Sequence, residues 1–129
     1  MPRLASVYAK MLGEKISKHN TAGYLINTGW SGGPYGVGKR IKIEYSRAMV
    51  TAVINGSLDI VKFSHNDLFN LDIPTECPGV PSEVLEPRNT WVDKDSYDLS
   101  EKKLAQMFVD NFKKFKDASE EIRSAGPKL

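Results

Sequence analysis

The chain has 129 residues, 40% of them hydrophobic and 26% charged, with a formal net charge of +2. That balance excludes fibrous, low-complexity and disordered classes and leaves room for a single domain. Its lysines and arginines are interleaved with acids, so no basic block marks a nucleic-acid or membrane footprint, and the lone Cys77 excludes an internal disulfide.

One cysteine suits a reducing compartment. The opening Met1-Pro2-Arg3 lacks the apolar run of a signal peptide, and no segment reaches transmembrane length, so the expected location is the cytoplasm. His19, His65 and Cys77 lack the spacing of a zinc site.

Leu4, Val7, Tyr8, Met11, Leu12 and Ile16 recur at helical spacing, which predicts an amphipathic helix over 4–18, stopped at His19-Asn20. The apolar run Gly23-Tyr24-Leu25-Ile26-Asn27-Thr28 predicts a strand buried on both faces. Residues 29–40 carry glycine at a density that excludes regular structure. Ile41 to Tyr45 alternates apolar and polar residues like a half-buried strand. Ser46 then serves as the N-cap of a helix through Val53, ended by Asn55-Gly56.

From Ser57 to Asn89 the sequence offers short extended pieces at Ile60–Phe63 and Leu71–Ile73, with Pro74, Pro78, Pro81 and Pro87 keeping the rest irregular. Such a stretch reads as an arm laid over a neighbouring domain. A final helix starts near Asp98, with Glu101 completing a capping box. Leu104, Met107, Phe108, Phe112 and Phe115 form its apolar stripe, expected to be core. A short helix after Ser119 precedes the tail. The fold class is α/β, in the form of a mixed α+β unit making up one partial domain over 1–129.

Local chemistry is sparse. Closely spaced glycines can turn backbone N–H groups towards an anion, and Gly33 to Lys39 has the spacing of a phosphate-binding P-loop. Arg40, however, stands where the magnesium-binding Ser or Thr belongs, and a strand rather than a helix is expected next. A hinge or tight connection is the commoner reading of such a loop. Asp93, Asp95 and Asp98 read as helix-dipole complements rather than metal ligands. Ser31 lacks the spacing of a nucleophile elbow, and Cys77 lacks a base. No catalytic residue and no metal ligand is assigned.

The run from Asn27 through Gly29-Trp30-Ser31-Gly32-Gly33-Pro34-Tyr35-Gly36-Val37-Gly38-Lys39-Arg40 to Ile41 resembles a loop near the C-terminus of ATP-dependent phosphoenolpyruvate carboxykinases. Tyr8 to Lys15, Pro78-Gly79-Val80-Pro81, Pro87-Arg88-Asn89-Thr90-Trp91 and Ala125-Gly126-Pro127-Lys128 resemble the family in the same order. The resemblance runs from about residue 4 to the end. It implies part of the C-terminal, mononucleotide-binding lobe of a lyase that turns oxaloacetate and ATP into phosphoenolpyruvate, carbon dioxide and ADP, in gluconeogenesis.

By that resemblance Arg40 and Ile41 contact the adenosine part of ATP, and Ser46 stands where the family often has threonine, with its hydroxyl available to the nucleotide. The family's P-loop, metal ligands and oxaloacetate-binding arginine have no counterpart here. The divalent metal, Mg or Mn, is therefore expected in the whole enzyme and not on this chain, which alone is expected to be inactive. Adenine nucleotide and the upstream lobes of the same enzyme are the expected partners. The alternative is a non-catalytic module that binds adenine nucleotide or docks on a partner. Where the family usually has His-Pro before the first helix this chain has Met1-Pro2-Arg3, as expected of a piece of a longer protein.

Overall fold

The computed structural model describes residues 3–129. Met1 and Pro2, where the start departs from the family's His-Pro, lie outside the described residues. Helix α1 spans Ala5–His19 and closes as its sequence implies: Asn20 turns left-handed (φ 48°, ψ 48°) and its N–H reaches back to the carbonyls of Ile16 and Ser17.

The next segment corrects the reading of the sequence. Gly23 to Thr28 forms no strand, and Leu25 is 88% exposed. A strand exists only where a neighbour completes its hydrogen-bond ladder, and no such neighbour lies beside this run among the described residues.

Strands β1 (Trp30–Ser31) and β2 (Lys39–Arg40) pair antiparallel, with Trp30 opposite Arg40 and Ser31 opposite Lys39. The glycine-rich segment is thus the loop of a small hairpin: it is irregular over 32–38, but both ends of the 29–40 stretch expected to lack regular structure pair as strands. Helix α2 covers Ile43–Ile54, so the strand expected over Ile41–Tyr45 is absent. Its N-cap is Lys42, and Ser46 lies inside the first turn rather than at the cap. Five alternating residues are also compatible with a helix, and Tyr45, Met49, Ala52 and Val53 continue the helical period. Asn55 ends the helix where expected.

Residues 57–89 are more ordered than their prolines suggested. Strands β3 (Phe63–Asn66) and β4 (Leu71–Pro74) form a second antiparallel hairpin, with Phe63 opposite Pro74 and His65 opposite Asp72. The first strand thus begins where the extended piece Ile60–Phe63 was expected to end. Two single-turn helices follow, α3 (Ser82–Leu85) and α4 (Pro87–Thr90). Pro87 occupies the first turn of α4, where a missing N–H costs no helical bond.

Helix α5 runs Lys94–Phe112 and starts a full turn earlier than Asp98. The cap is Asp93, whose carboxylate accepts from the N–H groups of Asp95 (3.0 Å) and Ser96 (3.2 Å). The bond from the Ser96 hydroxyl, with these two from the backbone, holds the Asp93 carboxyl below its usual pKa. Asp98 pairs instead with Arg88. Helix α6 (Glu120–Ser124) follows Ser119 as expected, and the Ser119 hydroxyl caps it by accepting from the Ile122 N–H.

The core is small. Ala52, Leu58 and Cys77 are buried together, with Tyr24, Met49, Val53, Val61, Val80 and Leu85 packed around them. Burial raises the pKa of the Cys77 thiol. The aromatic stripe of α5 is not core in this chain: Met107 is 59% and Phe108 53% exposed, while neighbouring Ala105 is fully buried. Apolar residues of α1, including Tyr8, Met11 and Leu12, are exposed as well. The chain's accessible area is 10031 Å². A complete globular domain of this mass exposes roughly 6,800 Å².

Candidate functional site

The glycine-rich hairpin is built for close backbone approach. Gly32, Gly33 and Gly36 have φ of 79°, 148° and 89°, conformations that side chains disfavour. Inside the loop the N–H groups of Val37 (3.0 Å) and Gly38 (2.9 Å) both donate to the carbonyl of Pro34. These two are taken up internally and do not face outward to an anion, which makes 34–38 a tight turn. The helix that a P-loop requires does follow, as α2, which corrects one of the two objections to that reading. The other stands, since Arg40 still replaces the hydroxyl residue. The Trp30 and Tyr35 rings meet edge to face across the hairpin, centroids 5.3 Å apart.

The three residues singled out by resemblance lie along the junction from β2 to α2. Arg40 ends β2 with an exposed side chain, and among the described residues it has no carboxylate partner. Ile41 is half-buried, and its N–H is anchored to the carbonyl of Gly29 at 2.9 Å. Its side chain lines an open cleft of about 770 Å³ whose walls include Tyr24, Trp30, Leu58, Phe63 and Trp91. Ser46, half-buried in the first turn of α2, donates its backbone N–H to the carbonyl of Lys42 at 3.2 Å. No partner for its hydroxyl is found among the described residues. The three thus follow one another along the β2–α2 junction, but only Ile41 lines the cleft, while the Arg40 guanidinium and the Ser46 hydroxyl, unpartnered among the described residues, are not among its walls.

The junction rests on a buttress that residue patterns did not reveal. The Ser31 hydroxyl donates to the Thr90 hydroxyl at 3.1 Å, and Thr90 donates in turn to the carbonyl of Pro87 at 2.7 Å. A Cβ placed on Gly32 would come within 2.9 Å of the Thr90 carbonyl, so hairpin and α4 are in contact backbone to backbone. Lys94 caps α4, its ammonium donating to the carbonyls of Arg88 (2.7 Å), Asn89 (3.1 Å) and Trp91 (2.8 Å). Arg88 ties the same turn to α5 through a two-pronged bond to Asp98, at 2.7 and 3.0 Å. That bond holds the Asp98 carboxyl below its usual pKa.

Beyond the buttress, Tyr97 and Asn66 both donate to Glu101, and burial raises the tyrosine's pKa. This joins α5 to β3 and is a packing feature. Among the described residues, no three of His, Cys, Asp and Glu converge as a metal ion would need. No described helix is long and apolar enough to cross a membrane.

Comparisons with known proteins identify what the chain is similar to. The sequence model of the family described as phosphoenolpyruvate carboxykinase matches residues 1–83. A phosphoenolpyruvate carboxykinase (ATP) of Caldanaerobacter subterraneus is 61% identical over 128 residues, covering 99% of this chain and 25% of that protein. The enzyme of the same name from Fusobacterium nucleatum is 60% identical over 129 residues, with the same two coverages. One from Moorella thermoacetica is 54% identical over 127 residues, covering 98% of this chain and 24% of its own length. The chain thus spans about a quarter of the length of the relatives it matches.

Proposed function

The chain belongs to the ATP-dependent phosphoenolpyruvate carboxykinase family, and on that premise we propose that it forms the C-terminal part of such an enzyme and contacts the adenosine side of ATP. The placement in the mononucleotide-binding lobe rests on the resemblance of the quoted motifs to the family. The architecture, two small antiparallel sheets among helices, does not by itself distinguish one lobe from another.

One observation carries the site. At the β2–α2 junction the Arg40 guanidinium and the Ser46 hydroxyl stand without partners among the described residues, and Ile41, between them in sequence, lines the apolar cleft. A guanidinium stacks on a purine while an aliphatic side chain covers its other surface, and a hydroxyl accepts or donates at the ring or ribose.

In the complete enzyme the reaction is decarboxylation of oxaloacetate with transfer of the γ-phosphoryl group of ATP, in the cytoplasm. The divalent metal of the complete enzyme would be held by residues outside this chain. By itself the chain is inactive. The exposed faces of α1 and α5, and an area well above that of a complete domain, are the surface that the rest of the polypeptide covers.

In the full-length enzyme carrying these residues, Arg40→Ala is expected to raise the KM for ATP roughly tenfold, the range of a lost cation–π contact. The KM for oxaloacetate should stay within twofold. Equal rises for both substrates would contradict an adenosine-side role.

A further inference from the structure

We infer that Thr90 is a positioning residue for the nucleotide site, acting through Ser31 to fix the glycine-rich hairpin. This rests on the proposed role of the β2–α2 junction and adds to it the part that holds that junction in place.

The hairpin has little to hold it otherwise. Its strands are two residues long, too short to set their own orientation. Five of the nine residues from Trp30 to Gly38 are neither hydrogen-bonded strand nor large side chain: Gly32, Gly33, Pro34, Gly36 and Gly38. A free hairpin of this composition samples many orientations, and Arg40 would move with it.

Thr90 supplies the missing constraint, because its hydroxyl uses both of its capacities at once. It accepts from Ser31, directly beside Gly32, and it donates to Pro87 within its own turn. The donated bond fixes the hydroxyl rotor, which leaves the lone pair aimed at Ser31. The turn that carries Thr90 is itself immobilised from two sides, by the Lys94 ammonium on three carbonyls and by Arg88 on Asp98. A path of direct hydrogen bonds therefore runs from α5 through α4 and Thr90 to Ser31. Ser31 lies opposite Lys39 in the hairpin, next to Arg40.

Close approach makes the arrangement specific. Gly32 brings its backbone against the Thr90 carbonyl, where any side chain at position 32 would collide. Thr90, the last residue of α4, is half-buried. Thr90 touches neither of the unpartnered groups of the junction, so its effect is on geometry and not on the chemistry of contact.

The test uses the full-length enzyme carrying these residues, with Thr90→Val, Thr90→Ser, Ser31→Ala and Arg40→Ala. Thr90→Val keeps the shape and removes both hydroxyl bonds, and Ser31→Ala removes only the bond between the two elements. Both are expected to speed amide exchange across residues 29–40 roughly fivefold, the worth of one hydrogen bond, without changing exchange in α2 or β3. The KM for ATP should rise several-fold with kcat and the KM for oxaloacetate little changed. Thr90→Ser should restore both readouts.

Unchanged exchange at 29–40 in Ser31→Ala would overturn the inference, whatever Thr90→Val does to folding. So would faster exchange with an unchanged KM for ATP while Arg40→Ala raises it. If Arg40→Ala leaves the KM for ATP untouched, the failure belongs to the nucleotide reading, and the exchange data still decide whether Thr90 holds the hairpin.

Discussion

Gly38→Ala should collapse the glycine-rich hairpin, at a cost of about 3 kcal/mol or more to its closed form. The reason is space and not backbone strain, since Gly38 is outside the positive-φ set. A Cβ there would lie 2.7 Å from the carbonyl oxygen of Ser31 and closer still to the carbonyl of Gly33. Both obstacles are backbone atoms of the hairpin itself, so neither can swing aside as a side-chain tip would. Relief requires the loop to open, which breaks the N–H bonds of Val37 and Gly38 to Pro34 and shifts β2 with Arg40.

Gly36→Ala is the matched comparison. Nothing lies within 4 Å of its Cβ, and only its φ of 89° opposes the change, a penalty of about 1–2 kcal/mol. Amide exchange at Ser31 and Lys39 in the chain, with the KM for ATP in the full-length enzyme, checks the pair. A Gly38→Ala variant no worse than Gly36→Ala would show that the hairpin is not closed as described.

Leu58→Ala carries the largest effect expected on stability, about 3 kcal/mol. Leu58 is 4% exposed and is the only large side chain among the described residues in the buried cluster with Ala52 and Cys77. It also forms part of the cleft wall, so truncation widens an existing void rather than opening one that neighbours can fill. Because small proteins keep only about 5–15 kcal/mol in hand, the loss is a large share of the total. Urea unfolding of the chain measures it. Phe108→Ala, at a half-exposed position, should cost about 1 kcal/mol in the same assay. The reverse ranking would place the core on the aromatic stripe of α5.

What could be read from the sequence is what local chemistry decides. The α1 stop at Asn20, the α2 end at Asn55 and the start of α6 after Ser119 each depend on residues within one turn of the event. The start of α5 was misplaced because Asp93 and Asp98 are both plausible caps. A contact with Arg88, ten residues before Asp98, engages that carboxylate elsewhere. Gly23 to Thr28 has a strand's composition, but composition cannot supply the neighbour that a ladder needs. The apolar stripes of α1 and α5 were legible as faces that require covering, and the sequence is silent on what covers them.

At the site, Arg40, Ile41 and Ser46 came from resemblance to a family and not from spacing, since nothing in their pattern marks a nucleotide contact. The structure adds that two of them lack partners among the described residues and that Ile41 faces the cleft. The roles of Thr90 and Lys94 arise from hydrogen bonds, with the Ser31 hydroxyl and with backbone carbonyls, which residue type alone does not encode. Thr90 stands in a motif that resembles the family, Pro87-Arg88-Asn89-Thr90-Trp91, and its role comes from the contact of α4 with the hairpin.

The most direct test of the account is photolabelling of the full-length enzyme with 8-azido-ATP, followed by mapping of the modified peptides. A purine seated against the β2–α2 junction places its azide beside residues 40–46, so the account predicts labelled peptides from that stretch, suppressed by excess ATP. ATP-protectable label found only on peptides outside this chain would contradict it.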